Sequence, residues 1–434
     1  METIYYQLNP WWEGNPPEAG IRRETYLRPL FDNRDRRQVE ILLGSRRVGK
    51  TTILRQVINE LLASGVPPHD ICFLALDHPA LSGATISDHL KAFRTLFDHP
   101  RNRRLFLFLD EVQDSPAWEV ELKSLYDTEQ LKLYCTGSTL ALLARQGGKL
   151  TGRQITTTIF PLSFPEFIDF RGPRPKLAED YRYERLLQEY LVTGGYPEEV
   201  LSPNPAYLPN LLEDILARDL LRLFRVKKPA ALKDLVRLVA ASVGGRTSFN
   251  RLSSLLGLSL DTAKEYVGYL EAAYLTASMG KWTTSHSERV YSQKKLYLWD
   301  MGIKTICTGS GDEGARAENM VYLELRRRGI ETGYFAESER EVDFVVGSVA
   351  ESLPIEVKML DAIDPKDKRL AGLALFVRRF PAVRRALVVT RSVQATVPFH
   401  GLELQAVPLW RFLLDAGRFL NCVTRSENGR RTDA

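Results

Sequence analysis

Ile41-Leu42-Leu43-Gly44-Ser45-Arg46-Arg47-Val48-Gly49-Lys50-Thr51-Thr52 decides the fold. Ile41, Leu42 and Leu43 read as a buried strand. Gly44 and Gly49 bound a loop, and the residues after it (Ile53, Leu54, Val57, Ile58, Leu61) recur at helical spacing. The loop fits the pattern G-x-x-x-x-G-K-[ST]. Gly49 lets the backbone turn back, so that successive N–H groups point inward as an anion nest. The helix starting near Lys50 adds its positive dipole end and free N–H groups. Lys50 supplies a mobile charge for the outer phosphates of a nucleotide, and the Thr51 hydroxyl a ligand for magnesium. Ser45, Arg46, Arg47, Val48 and Thr52 belong to the same cradle. A chance match is disfavoured by context, since an apolar strand precedes the loop and a helical pattern follows it.

Downstream, residues 71–76 read as a second strand and residues 86–97 as a helix. Leu105-Phe106-Leu107-Phe108-Leu109-Asp110-Glu111 is an unbroken apolar run ending in two carboxylates. Such a strand is buried on both faces, as in a parallel sheet covered by helices. Alone the run is a weak signal; after a phosphate loop and one intervening strand it reads as the acidic strand of a nucleotide hydrolase. Asp110 then supports magnesium, and Glu111 orients or deprotonates the attacking water. Gln113 is equally a helix-start residue or a polar contact to the site. On the strand at residues 131–138, Thr136 or Ser138 is placed to sense the outermost phosphate, the alternative being a Ser138 helix cap. Arg153 is a candidate arginine for the phosphoryl-transfer charge, in cis or in trans, against a solvated surface role. Tyr5, Tyr6, Trp11 and Trp12 are expected to pack on their own domain, with subunit contact as the alternative.

Here Gly44-Ser-Arg-Arg-Val-Gly-Lys-Thr51, Leu109-Asp-Glu-Val-Gln113, Leu150-Thr-Gly-Arg153, Pro161-Leu-Ser-Phe164 and Gly194-Gly-Tyr-Pro197 carry a resemblance. Together they look like the prokaryotic AAA+ P-loop ATPases related to the STAND branch, over roughly residues 20–240. The resemblance implies that Pro197 packs on the adenine. It also implies homo-oligomers, with a ring of six subunits as the form expected if subunits assemble. Without it, residues 194–197 read only as a turn between helices.

Residues 206–225 read as a helix, and Pro229 starts another that ends at Gly244-Gly245. Residues 248–273 spell helix, tight turn, helix; residues 275–281 and 295–299 read as a β-ribbon, a winged-helix pattern. Arg246, Arg251, Lys264, Lys281, Arg289, Lys294 and Lys295 are its candidate phosphate contacts. DNA contact and structural packing stand as equal readings of that domain. Gly309-Ser310-Gly311-Asp312-Glu313-Gly314 reads as a flexible joint. Beyond it come a helix with Glu318, strands at residues 333–336, 341–346 and 354–358, a helix at 366–379, a strand at 386–390 and a helix at 408–417. The tail at 425–434 reads as disordered.

Strand alternation puts Glu356 and Lys358 on one face. A hairpin brings Asp343 alongside, and Glu318 reaches over from its helix. The set matches the D-…-E-x-K pattern of restriction-endonuclease-like folds, and residues 314–391 resemble the nuclease-like domain found on this ATPase family. Asp343 and Glu356 are the candidate magnesium ligands beside a scissile phosphate, and Lys358 stabilises charge or positions water. Fold alone does not establish cleavage.

A chain of 434 residues is too long for one core. The expected architecture is α/β throughout: a parallel-sheet AAA+ core with an N-terminal extension at 1–170, a helical lid at 171–240, a winged helix-turn-helix at 241–308 and a restriction-endonuclease-like domain at 314–424. The net charge of +5 permits an acidic partner without requiring one. Cys72, Cys135, Cys307 and Cys422 form no C-x-x-C pair, which argues against zinc and redox motifs. No run spans a bilayer and residues 1–17 lack an apolar signal core, so a cytoplasmic protein without membrane contact is expected. The functional expectation is ATP hydrolysis with Mg2+ coupled to DNA binding or processing, as a nuclease or as a translocase with a dead nuclease; the alternative is a nucleotide-dependent switch that binds a partner and carries an inactive nuclease-like domain.

Overall fold

A computed structural model describes residues 2–137, 150, 152–221, 224 and 226–420. Ser138, Cys422 and the 425–434 tail lie outside them. The chain forms two compact units, Met1–Phe160 with Ala272–Tyr274, and Pro161–Glu271 with Leu275–Ala434. The three later segments expected from the sequence thus fall in one body.

In the first unit, β1 (Val39–Leu43), β2 (Ile71–Ala75), β3 (Leu105–Asp110), β4 (Leu131–Gly137) and β5 (Gln154–Thr158) form one parallel sheet in the order β2-β3-β4-β1-β5. Every residue of β1 and β3 is buried. Their unbroken apolar runs are what a sheet covered on both faces requires. The helices Lys50–Ala63, Ile86–Phe97 and Trp118–Thr128 lie in the connections. A capping box between Thr85 and Asp88 starts the second of these.

The N-terminal aromatics pack on their own domain, as the first reading expected. Trp11 and Trp12 donate their indole N–H groups to the Ile71 carbonyl at 3.2 and 2.9 Å. The Asn9 amide exchanges two hydrogen bonds with the Phe73 backbone. It thereby satisfies main-chain groups of β2, the edge strand, which would otherwise invite pairing with another chain.

The second unit opens with helices Phe164–Arg171, Asp180–Thr193, Pro197–Leu201 and Tyr207–Asp214. The last continues into a π-helical stretch, Ile215–Leu221, where a plain helix was expected. Helix Pro229–Ala241 leads to β6 (Arg246–Thr247), then helices Phe249–Leu256 and Leu260–Ala272 on either side of a left-handed Gly257. β7 (Thr276–Met279) and β8 (Lys294–Leu298) form the expected ribbon, in an antiparallel sheet of order β6-β8-β7.

Helix Glu313–Arg327 precedes a mixed sheet of β9 (Thr332–Glu337), β10 (Arg340–Val346), β11 (Leu353–Val357), β12 (Arg385–Thr390), β13 (Ala395–Phe399) and β14 (Leu402–Pro408), ordered β13-β14-β12-β11-β10-β9. The β13–β14 hairpin was not foreseen. Helix Ala371–Arg379 buries Leu373 and Phe376 in the same core as Val342, Val388 and Leu404. Each such side chain contributes about 1.5–3 kcal/mol.

The glycine-rich joint is a correction. Its carbonyls are held by Arg316, which is only 1% exposed. That guanidinium donates to Gly311 O at 2.8 Å, Gly309 O at 2.5 Å and Leu191 O at 2.6 Å. Asp312 caps the following helix. Composition suggested flexibility, but a buried cation with several carbonyl acceptors fixes the path. Among the described residues, no helix is long and apolar enough to cross a membrane.

Candidate functional site

The sheet order puts the C-terminal ends of β1, β4 and β3 side by side. The glycine loop leaves β1, and Gly44 allows a close approach: a Cβ there would lie 2.4 Å from the Ile159 carbonyl. Gly49 at φ +95° makes the turn into helix Lys50–Ala63. Lys50, 5% exposed, curls back under the loop, its ammonium 3.1 Å from Gly44 O and 3.0 Å from Ser45 O. Thr51 Oγ1 donates to Asp110 Oδ2 at 2.7 Å, tying loop to acidic strand.

Asp110 is buried, and burial raises its pKa; the neighbouring Glu111 carboxylate adds to this, while hydrogen bonds from Thr136 and Thr51 oppose it. Thr136 Oγ1 donates to Asp110 Oδ1 at 2.5 Å and accepts from the Glu111 N–H at 2.9 Å. Glu111 takes a left-handed backbone, φ +50°. Gln113 Nε2 donates to Glu111 Oε2 at 2.5 Å, so Gln113 is a polar contact to the site within a 3-10 turn, Val112–Asp114. The donor set fits a magnesium–nucleotide: a buried ammonium at the start of a helix and a hydroxyl–carboxylate pair beside it.

Two residues stand differently from expectation. Arg153 is not at this site in its own chain. Gln154 pairs with Val39 at the opening of β1, whereas the loop leaves after Leu43, about 13 Å along the strand. Parallel register therefore places Arg153 at the opposite, N-terminal end of the strands, where it meets Asp127 at 3.3 Å and the Tyr126 ring. Arg23 was missed. It is 2% exposed, donates to Val48 O at 2.8 Å and Phe160 O at 3.0 Å, and lies over Tyr26. It braces the loop from behind. Its sequence signal, one arginine in Arg22-Arg23-Glu24, is indistinguishable from a surface charge. Pro197 opens a short helix of the second unit.

The second unit gathers the other set. β10 and β11 pair antiparallel, with Phe344 opposite Ile355, which brings Asp343 beside Glu356. β10 is irregular against β9 between Val342 and Val345, the kind of bulge that re-aims a side chain. Lys358 Nζ lies 2.7 Å from Glu356 Oε1 and 3.4 Å from Asp343 Oδ2. Val357 N–H donates to Asp343 Oδ2 at 2.9 Å. Glu318 faces them from helix Glu313–Arg327.

A further cation, weighed only as a surface phosphate contact, joins this set. Lys295 on β8 is 1% exposed, with Nζ 2.5 Å from Glu341, 2.9 Å from Glu318 and 3.4 Å from Asp343. Tyr297, on the same strand face, donates to Glu318 at 2.7 Å. Arg246 meets Glu341 at 2.9 Å. The signal for Lys295 was the alternation Lys295-Leu296-Tyr297, which puts a charge and a phenol on one face. Burial opposes the Lys295 charge, yet Asp343, Glu318 and Glu341 together raise its pKa. Burial likewise works against the Asp343 carboxylate, but Lys295 and Lys358 hold its pKa low. Burial and the Asp343 charge raise Glu318 and Glu356. Among the described residues, no group of three or more His, Cys, Asp or Glu side chains is arranged to hold a metal ion.

Residues 36–168 match a family described as an AAA domain. Residues 184–313 and 313–412 match two families described as domains of unknown function, DUF8612 and DUF4143. An uncharacterized protein of Haemophilus influenzae is 25% identical over 78% of this chain and 87% of its own. An uncharacterized protein of Methanocaldococcus jannaschii is 26% identical over 71% and 72%. Among solved structures, RuvB of Thermotoga maritima is similar with a TM-score of 0.30 and 18% identity, over 58% of this chain and 87% of that one. Hsp104 of S. cerevisiae in complex with casein is similar with a TM-score of 0.33 and 15% identity, over 66% and 62%.

Proposed function

We propose that this protein binds Mg–ATP and hydrolyses it, and that its second unit directs that cycle to DNA. The observation carrying the first part is the Thr51–Asp110 hydrogen bond beside the Lys50 ammonium, which joins loop and acidic strand at the C-terminal end of the sheet. Bound magnesium supplies charge neutralisation at the outer phosphates. Lys50 exchanges its carbonyl partners for phosphate oxygens. Thr51 and Asp110 would provide the metal's protein oxygens. Glu111 accepts a proton from the attacking water, and Gln113 holds its carboxylate in place. By resemblance, Pro197 contacts the adenine; Arg153, which meets Asp127 in its own chain, takes the trans role rather than the cis one.

The test is ATP turnover and calorimetric binding for wild type, Glu111→Gln and Lys50→Ala. Glu111→Gln is expected to bind as wild type and turn over roughly 10²–10⁴-fold more slowly. Lys50→Ala is expected to lose nucleotide uptake. Wild-type turnover in Glu111→Gln would remove that residue from the mechanism.

For the second unit, β6, β7, β8 and the helices beside them read as a winged helix, and the later sheet as a nuclease-like fold. A cleft of about 420 Å³ lined by Arg340, Lys366, Lys368 and Arg378, with Asp367 among them, suits a phosphate backbone. In one form this unit cuts DNA at Asp343 and Glu356. In the other it binds DNA or a partner and cuts nothing, and the neutralisation of Asp343 by two lysines favours this. Nicking in magnesium or manganese that Asp343→Ala abolishes, with ATP turnover intact, would restore the cutting form.

A further inference from the structure

We infer that Lys295 is the resident cation of the Asp343–Glu318–Glu341 site, and that it excludes divalent metal there. This rests on the nuclease-like reading of the C-terminal strands, which seats a metal on Asp343 together with Glu356; the Lys295 ammonium takes one of those Asp343 oxygens.

The argument is one of charge and space. A divalent ion needs short, roughly simultaneous bonds to several hard oxygens. Here Asp343 Oδ1 and Glu318 Oε1 converge on one point, and the Lys295 ammonium stands at it, 3.4 and 2.9 Å away. The other Asp343 oxygen faces Lys358 at 3.4 Å. Both oxygens of the central carboxylate thus meet ammonium groups, and Tyr297 also donates to Glu318 Oε1.

Lys295 does not reach in on a loose arm. Its ribbon is stitched to the C-terminal sheet. Trp282 N–H donates to Tyr334 O at 2.7 Å, Tyr334 N–H to Gly280 O at 3.2 Å, and the Tyr334 hydroxyl to Gln293 O at 2.7 Å. The Trp282 indole donates to Gly347 O at 3.0 Å and packs on Phe376 and Phe380. Tyr297 stacks on Tyr322 at 4.1 Å. The ammonium is therefore held as firmly as the carboxylates.

Manganese uptake by nucleotide-free protein, read by electron paramagnetic resonance, tests this on wild type, Lys295→Met, Lys295→Arg, Asp343→Asn and the Lys295→Met/Asp343→Asn pair. Wild type and Lys295→Arg should match Asp343→Asn. Lys295→Met should gain one site, binding about 100-fold or more tighter than any residual uptake and lost in the double variant. Wild-type uptake that Asp343→Asn removes overturns the inference and leaves the nuclease-like reading standing. No gain in folded Lys295→Met overturns both. Should Lys295→Met fail to fold, Lys295→Gln is read the same way.

Discussion

The Thr136 hydroxyl stands between the two acids of the phosphate site. It gives its proton to Asp110 and receives the Glu111 N–H. Valine has the same shape but neither capacity, and would leave a buried carboxylate oxygen and an N–H without that partner. Thr136→Val should cost about 1–3 kcal/mol in urea unfolding and slow ATP turnover more than it weakens nucleotide binding. Thr136→Ser should restore both. A valine variant as stable and active as wild type would show that the hydroxyl is dispensable. The sequence offered Thr136 or Ser138 as a phosphate sensor; in the structure the Thr136 hydroxyl bonds to both Asp110 and the Glu111 backbone.

At the scale of elements, Asp300 ties helix Met301–Thr308 to the Gly194-Gly195 turn. Its carboxylate accepts from Gly302 N–H at 2.7 Å and Gly195 N–H at 2.6 Å. The fit is close, since a Cβ on Gly194, at φ +79°, would lie 2.1 Å from Asp300 Oδ1. Burial raises the Asp300 pKa to about 7 from an ordinary 3.8, despite amide bonds that favour the anion. The sign follows from proton counting. Between those two values the folded chain holds a proton that the unfolded chain releases, so this group makes stability fall as pH rises through the window and level off above it. Asp300→Asn cannot titrate. The unfolding free energy of wild type relative to Asp300→Asn should therefore decline between about pH 4.5 and pH 7 and stay constant beyond. A flat difference in urea denaturation across that range would refute it.

At the scale of the whole molecule, the charge is only +5, but cations are concentrated in the cleft around Lys366, Lys368 and Arg378. If that surface takes DNA, binding releases counterions and is steeply dependent on salt. ATP turnover should rise with added DNA at about 50 mM salt, and the stimulation should largely vanish by about 200 mM. Charge reversal at Lys366 and Lys368 should abolish the stimulation without changing basal turnover. Stimulation insensitive to both salt and reversal would place the DNA contact elsewhere.

The parallel core, the phosphate loop and the Asp110–Glu111 strand end were legible because each is written in neighbouring residues: apolar runs, glycines at fixed places, a lysine at a helix start. The pairing of Asp343 with Glu356 and Lys358 was legible because a hairpin and strand alternation are also local rules. Tertiary structure alone decided the rest. Register set Arg153 at the end of the strands away from the phosphate loop, a buried arginine turned a glycine-rich joint into a fixed path, and Lys295 met a carboxylate 48 residues away. A side chain's charge is written in the sequence, but which opposite charge it meets depends on how distant strands and helices pack, and no window of neighbouring residues records that.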